Sequence, residues 1–590
     1  MYLNCHTYYS LNYGTFSEGE LLRLGQEYGQ KVLALTDINN TSACLNFVRL
    51  AVKHGIKPII GIDFRAGAKQ LFIGLAQNNI GFQELNSYLS EHLHHKKSIP
   101  PEAPFFENVT VIYPFNQVKE LNKKHFEAYE FIGIGLADIE YLHRSDYLAF
   151  QHKMVLLHPI TFRNKQDFNV HRLLRAIGNN SLLSKLPKSE EANPAEIFLM
   201  AEAVQKAFKT YPAILKNTEK LLAECRIHFD FSSTRKHQNL LSFFGDTDRD
   251  YKLFKVLAIK GLRKRYGKEN ITKKIYKRLA KELNTIRQMD YVAFFLVNWS
   301  IIHYAKRMGY YHVGRGSGAN SIMAYLLGIT DVDPIELDLY FERFMNLYRA
   351  NPPDFDIDFS SRDREDVTRY IFECFGSNKR AALIATYNTF KHSGAVRELG
   401  KVFGLPKAEI DVLSNGKFDI EKIDSLQLLV LKYSQLIIGI PNHLSVHSSG
   451  IIISEKPLHY FSATFMPPKG FPTVQFDMEI AEDVGLFKYD ILGQRGLGKI
   501  KDTLSIIKTN RPELPPIDIH NVKAFFADPI INKKVSEAQC IGCFYVESPA
   551  MRMLLRKLKV NTYLGLVAAS SIIRPGVAKS GMMREYILRH

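Results

Sequence analysis

Three aspartates alternate with apolar residues in Asp354-Phe-Asp-Ile-Asp-Phe359. A period of two is that of a half-buried strand, so Asp354, Asp356 and Asp358 are expected on one face. Such neighbours stand about 7 Å apart. Carboxylates that close repel one another, and aspartate is a poor strand former. A divalent cation, a hard ion that takes oxygen ligands, is the simplest agent to offset the repulsion. The plainer account is an edge strand whose charges keep other strands away. The apolar residues between the acids favour the metal cradle.

Upstream, Val313-Gly-Arg-Gly-Ser-Gly-Ala-Asn-Ser321 precedes a helical run from Ile322 to Leu327. Glycines let the backbone approach a ligand, and a helix start offers free N–H groups to an anion. Ser317, Asn320 and Ser321 add donors, and Arg315 adds charge. Alone, such a loop is often only a turn. Before an acidic strand it makes half of a nucleotidyl-transfer site, with the loop cradling a triphosphate and the acids holding metals. Phe341-Glu-Arg-Phe344 supplies Arg343, and Arg349 follows. Transfer by two metals usually draws carboxylates from more than one strand. The second candidate is Gly485-Leu-Phe-Lys-Tyr-Asp-Ile-Leu-Gly493, where Asp490 lies in an apolar strand with Lys488 on the same face. In isolation Asp490 reads as a strand-end turn former.

The elements that must position these residues are partly visible. Val32–Thr36 reads as a strand, Ala43–His54 as a helix stopped by Gly55, and Lys57–Ile62 as the next strand. That alternation implies parallel pairing in an open sheet or a barrel. Polar connections lie at 185–194 and 232–250, and a domain boundary is expected at the second. From Tyr251 to Met308 the pattern is helical, with Lys260, Arg263, Lys264, Lys273, Lys277 and Arg278 among many cations on the polar face. A solvated surface explains any one such helix. Because the run leads into the glycine loop, a phosphate-facing role gains weight.

At 590 residues the chain has room for about four compact units. Its 46% hydrophobic and 23% charged composition excludes wholesale disorder. The 77 Lys and Arg against 60 Asp and Glu leave a charge of +17, which attracts polyanions such as nucleic acid. The longest apolar runs, such as Tyr291–Val297, are too short to cross a bilayer. No secretory signal follows Met1, and six scattered cysteines are too few for a disulfide scaffold. A cytoplasmic protein with no membrane partner is expected. Cys540 and Cys543 have no second pair at zinc spacing, and His92, His94 and His95 read as solvated residues at a helix end.

Taken together, Gly314-Arg-Gly-Ser317, Phe341–Phe344, Pro353-Asp-Phe-Asp-Ile-Asp-Phe359 and Lys488-Tyr-Asp-Ile-Leu-Gly493 resemble the C-family bacterial DNA polymerases. Pro441-Asn-His-Leu-Ser-Val-His-Ser-Ser-Gly450, Ile541–Ser548 and Ile573-Arg-Pro-Gly576 fit the same family, whose members are the DNA polymerase III alpha subunit and its error-prone relatives. The resemblance runs in family order along the whole chain.

It implies a multidomain α/β and α+β fold. An N-terminal PHP (polymerase and histidinol phosphatase) domain, a distorted β/α barrel, spans 1–235. A palm similar to the X-family nucleotidyltransferase palm spans 236–387 and 449–505. A helical thumb is inserted at 388–448, and incomplete helical fingers occupy 506–590. Asp356 and Asp358 would bridge two Mg²⁺ ions (with Mn²⁺ as a substitute), and Asp490 would complete the site and help activate the primer 3′-hydroxyl. Asp354 would be balanced by a nearby arginine. Arg315, Gly316, Ser317, Arg343, Arg349, Lys488 and Arg574 would contact the nucleotide. Active PHP sites need many more His and carboxylate ligands than the remnants His6, Asp37 and Asp63, so no PHP exonuclease activity is expected and the domain reads as a scaffold.

The implied activity is template-directed DNA synthesis by the replicative alpha subunit. The implied partners are primer–template DNA, dNTPs, a sliding clamp, a clamp loader and a proofreading subunit in trans. Relatives run on past the fingers, so the 590-residue chain is expected to extend primers poorly. The degenerate PHP site and the double proline before Asp354 lean toward the error-prone class, while the 487–493 and 441–447 segments leave the replicative class ahead. A reading of a different class is a non-catalytic scaffold that holds DNA.

Overall fold

The computed structural model describes residues 2–232, 234–347, 353–416 and 418–590. Its first sheet holds β1 (Tyr2–Cys5), β2 (Val32–Leu35), β3 (Lys57–Ala66), β4 (Lys69–Ala76), β5 (Val109–Pro114), β6 (Glu130–Ile134), β7 (Met154–Leu156) and β8 (Pro159–Ile160). The order across the sheet is β7-β6-β5-β4-β3-β2-β1-β8. β1, β2 and β3 pair in parallel, as the alternation implies. Only Leu157 and His158 separate the two edge strands, β7 and β8. Three Cα steps span at most about 11 Å, so the sheet curls until its edges nearly meet.

The second sheet holds β9 (His312–Arg315), β10 (Asp356–Ser360), β11 (Ala381–Thr389), β12 (Pro441–Ile453), β13 (Thr464–Phe465), β14 (Thr473–Val474) and β15 (Tyr489–Gln494). Its order is β13-β14-β11-β12-β15-β10-β9. β10 and β15 are central and parallel, while β9 is antiparallel at the edge. The helices Thr247–Tyr266, Lys273–Gln288 and Val292–Arg307 share one apolar core with the sheet residues Ile357, Phe359, Tyr489 and Ile491. The all-apolar stretch at 291–297 is the start of this buried third helix, with Phe294 and Phe295 packed on Phe355.

The two sheets share a core. Leu458, Phe461, Ile480 and Leu486 from the second region are buried in one cluster with Phe47, Phe82 and Leu89 from the first. Polar contacts reinforce it: Thr41 Oγ1 donates to Gln475 Oε1 at 2.9 Å, and His94 Nε2 lies 3.0 Å from Thr464 Oγ1. The reading of the 92–95 histidines as solvated is therefore corrected for His94, which docks the Asn79–His95 helix on the second region. A solvated histidine and an interdomain histidine have the same helical spacing, and only the neighbouring strand separates them.

Between β11 and β12, among the described residues, stand the α-helices His392–Phe403, Lys407–Ser414 and Ser425–Ile437. Their apolar faces share a core with Val170, Leu173 and Leu174 of the Lys165–Gly178 helix in the first region. Among the described residues no helix is long and apolar enough to cross a membrane.

Candidate active site

β10 begins at Asp356, so Asp354 stands just before the strand and not on it. Asp356 and Asp490 are direct partners in the parallel β10–β15 register. Oxygens of Asp354, Asp356 and Asp490 lie within 4.8 Å of one another, the convergence a metal ion needs. Asp490 is 5% exposed and accepts a 2.6 Å hydrogen bond from Ser449 Oγ on β12. Lys488, two residues before it, bonds Asp490 and lies 3.4 Å from Asp354. The expected partner of Asp354 was an arginine. The structure supplies a lysine instead: Lys488, the residue just before β15, reaches both Asp354 and Asp490.

Asp358 takes a different place. Arg315 on β9 donates to its carboxylate from Nε at 2.8 Å, and reaches Asp356 at 2.6 Å through Nη1. Arg315, expected on the nucleotide, is thus a cation between two of the acids. Burial raises the Asp356 pKa, and Asp354 and Asp490 raise it further, while Arg315 and Lys488 oppose them. Burial works against the Lys488 charge, but Asp490 and Asp354 outweigh it and its pKa ends raised. The site is short of positive charge at Asp356, and the hard oxygen donors gathered there fit a divalent cation.

The glycine loop wraps this cluster. Gly316 has φ of 83°, in the left-handed region, and a Cβ there would meet Asp356 Oδ2 at 3.3 Å. At Gly318 a Cβ would fall 2.2 Å from the Phe355 ring. Side chains at either position would push the loop off the acids. The helix that follows corrects an expectation, because its N-terminus is not free. Glu282 accepts from Ser321 Oγ at 2.7 Å and from the N–H groups of Ile322 and Met323 at 3.1 Å. Arg278 in turn bonds Glu282 at 2.6 Å and the Asn320 and Leu339 carbonyls. A phosphate at this loop has to use the N–H groups of the turn itself. Glu282 was not anticipated; its one signal is that it is the only acid in the basic Lys273–Gln288 helix. Ser449 and Arg364, whose Nε donates to the Ile491 carbonyl at 2.8 Å, were likewise missed.

Beside the acids opens a cleft of about 780 Å³, and Ser317, Arg343, Asp354 and Lys488 line it. Arg49 from the first region and Arg235 from the connection reach it too. Arg349 lies outside the described residues. Arg574 is exposed and does not line the cleft.

In the first region, the PHP remnants divide. His6 Nε2 lies 3.0 Å from Asp63 Oδ2. Arg65 donates to the same oxygen at 2.9 and 2.7 Å, so a guanidinium sits against the acid. Asp37, also buried, accepts from Thr7 and Ser10, each at 2.7 Å. Burial opposes the Asp63 charge, but Arg65 and His6 bring its pKa down to about 2.

The curled first sheet and the second sheet with its acid cluster are each matched by a family model. Residues 3–154 match the PHP domain model, 252–493 the bacterial DNA polymerase III alpha NTPase domain, and 496–590 the finger domain of that subunit. Along its length the chain is similar to the DNA polymerase III alpha subunits. It is 29% identical over 98% of its length to the DNA polymerase III subunit alpha of Bacillus subtilis, covering 55% of that protein. The same subunit of Escherichia coli K12 is 26% identical over the whole chain, which covers 56% of it. The error-prone DNA polymerase of Symbiobacterium thermophilum is 27% identical over the whole chain, which covers 59% of it. The chain therefore spans somewhat over half the length of the curated relatives it matches.

Proposed function

We propose that this chain carries the catalytic region of a replicative DNA polymerase III alpha subunit, adding dNMP from dNTP to a primer 3′-hydroxyl on a DNA template. The observation that carries this reading is the parallel Asp356–Asp490 pair beneath the glycine loop. In the reaction the primer oxygen bonds the α-phosphorus, the bond to the bridging oxygen breaks, and pyrophosphate leaves. Asp356, Asp358 and Asp490 would hold two Mg²⁺ ions, whose bound chemistry is to polarise phosphoryl oxygens and acidify the hydroxyl. Asp354 supplies a further oxygen beside them. For Asp358 to serve, Arg315 must release it, and the freed guanidinium is then placed to meet a nucleotide phosphate. Gly316 and Ser317 shape the triphosphate seat, and Arg343 and Lys488 face it across the cleft.

In this reading the second sheet is the palm, the 392–437 helices are the thumb resting on the PHP domain, and the helices after 506 begin the fingers. The PHP domain is a scaffold without hydrolase activity, supported by the Arg65 guanidinium against Asp63 and by the hydrogen bonds that Thr7 and Ser10 give to Asp37. Primer–template DNA, dNTPs, a clamp, a clamp loader and a proofreading subunit are the proposed partners, in the cytoplasm. The Symbiobacterium relative supports an error-prone polymerase as the second reading. Mg²⁺-dependent primer extension by the full-length protein, with Asp490→Asn as control, tests the proposal. Undiminished extension by the variant would overturn it, and misincorporation on gapped templates separates the two readings.

A further inference from the structure

At the far end of the Ile322–Leu327 helix from the glycine loop lies a cavity of about 200 Å³ that DNA synthesis, as proposed, does not use. Its floor is apolar, built of Leu257, Ile302, Leu326 and Leu327. Lys260, Lys264, His303 and Lys306 stand around it, and no carboxylate lines it among the described residues. One wall is Trp299, the only tryptophan in these 590 residues. Its ring lies nearly parallel to that of His303, with centroids 5.4 Å apart and an interplanar angle of 18°.

The cavity is built by close packing. A Cβ at Gly261 would fall 2.2 Å from the Leu326 carbonyl oxygen, so the Thr247–Tyr266 helix presses on the end of the short helix. That contact brings Lys260 and Lys264, one helical turn apart, beside Leu326 and Leu327. Neither lysine has an ion-pair partner among the described residues. Lys306 donates to the Gly328 carbonyl at 3.2 Å. Burial lowers its pKa; Asp331 opposes that, and Arg265 and Lys264 add to it. Positive charge is therefore gathered here without a matching set of acids.

A half-buried indole stacked on an imidazole, with ammonium groups around it, offers a flat face to a ring and cations to the phosphates beside it. The volume is below that of a pocket for a drug-sized ligand, about 300 Å³ upward, so it suits one base of a passing strand. We propose that this cavity binds single-stranded DNA, with one base on the Trp299–His303 pair and neighbouring phosphates on Lys260, Lys264 and Lys306.

Trp299 reports on its own site. Titrating the chain with an oligo-dT of about 16 nucleotides should quench its fluorescence saturably, and added salt should weaken the binding. The double variant Lys260→Glu/Lys264→Glu, at two exposed positions, should bind at least about tenfold more weakly. Trp299→Ala should weaken binding of a labelled oligonucleotide by about tenfold. Asp356→Asn should leave the quenching unchanged, which keeps this test separate from primer extension. Absence of quenching, equal quenching in the lysine variant, or an equal response to tripolyphosphate or to an acidic peptide would overturn the proposal.

Discussion

Asp356 and Asp490 face each other in parallel register on adjacent strands, although the first belongs to the middle of the chain and the second to a segment beyond an inserted helical unit. The buried Asp490 is held by Ser449 and Lys488, so its position is set before any ligand arrives. A pre-set acid beside a half-exposed one is the part of the site that catalysis would depend on most.

Asp356→Asn and Asp490→Asn should each lower primer extension by more than about 100-fold, since loss of metal-borne charge stabilisation is worth several kcal/mol. Asp356→Asn keeps the size and shape of a partly exposed side chain, so its melting curve should stay close to that of the parent. Extension assays beside thermal melts check this. A variant retaining a tenth of the activity would count against the assigned role.

Removing the Arg315 guanidinium should produce opposite effects on two readouts. In Arg315→Ala the cation that competes for Asp356 and Asp358 is gone. Mn²⁺ binding in the absence of nucleotide, followed by electron paramagnetic resonance, should tighten about two- to fivefold, the worth of a partly exposed ion pair. Primer extension should fall, because the residue proposed to receive the phosphate is missing.

Glu282→Ala should destabilise the fold by about 3 kcal/mol in denaturant unfolding. The fully buried carboxylate accepts from Ser321, two helix N–H groups and Arg278, and the two N–H groups would lose this acceptor together. Glu282→Gln, which keeps acceptor capacity without the charge, should cost less. A neutral outcome for the alanine variant would mean that the loop does not rely on this anchor.

The Asp63–Arg65 pair makes a pH prediction. The folded pKa of Asp63 is depressed to about 2 from an ordinary 3.8. Its contribution is therefore present above pH 3.8 and is lost as pH falls through about 2. The stability difference between the parent and Arg65→Met should be full, about 3 kcal/mol, near neutrality. It should shrink steadily between about pH 4 and pH 2. A difference that stays constant across that window would show that the ion pair contributes nothing to folding.

Much of the site was legible from residue order alone. The alternation at 354–359, the glycines at 314–318 and the apolar frame of Asp490 identify a strand, a tight loop and a second strand by local period and composition. Local period could not decide where the strand starts, and so placed Asp354 on β10 with the others. The backbone joins the ladder only from Asp356, which pairs with Asp490 on one side and Arg315 on the other. Nor could it show that Glu282 occupies the helix start, because the acid and the N–H groups it meets come from separate elements. Residue types and spacing determined which chemistry this chain carries. The tertiary structure alone decided which charges meet, because electrostatic partners are chosen by distance in space, and strand pairing brings together groups that the chain holds far apart.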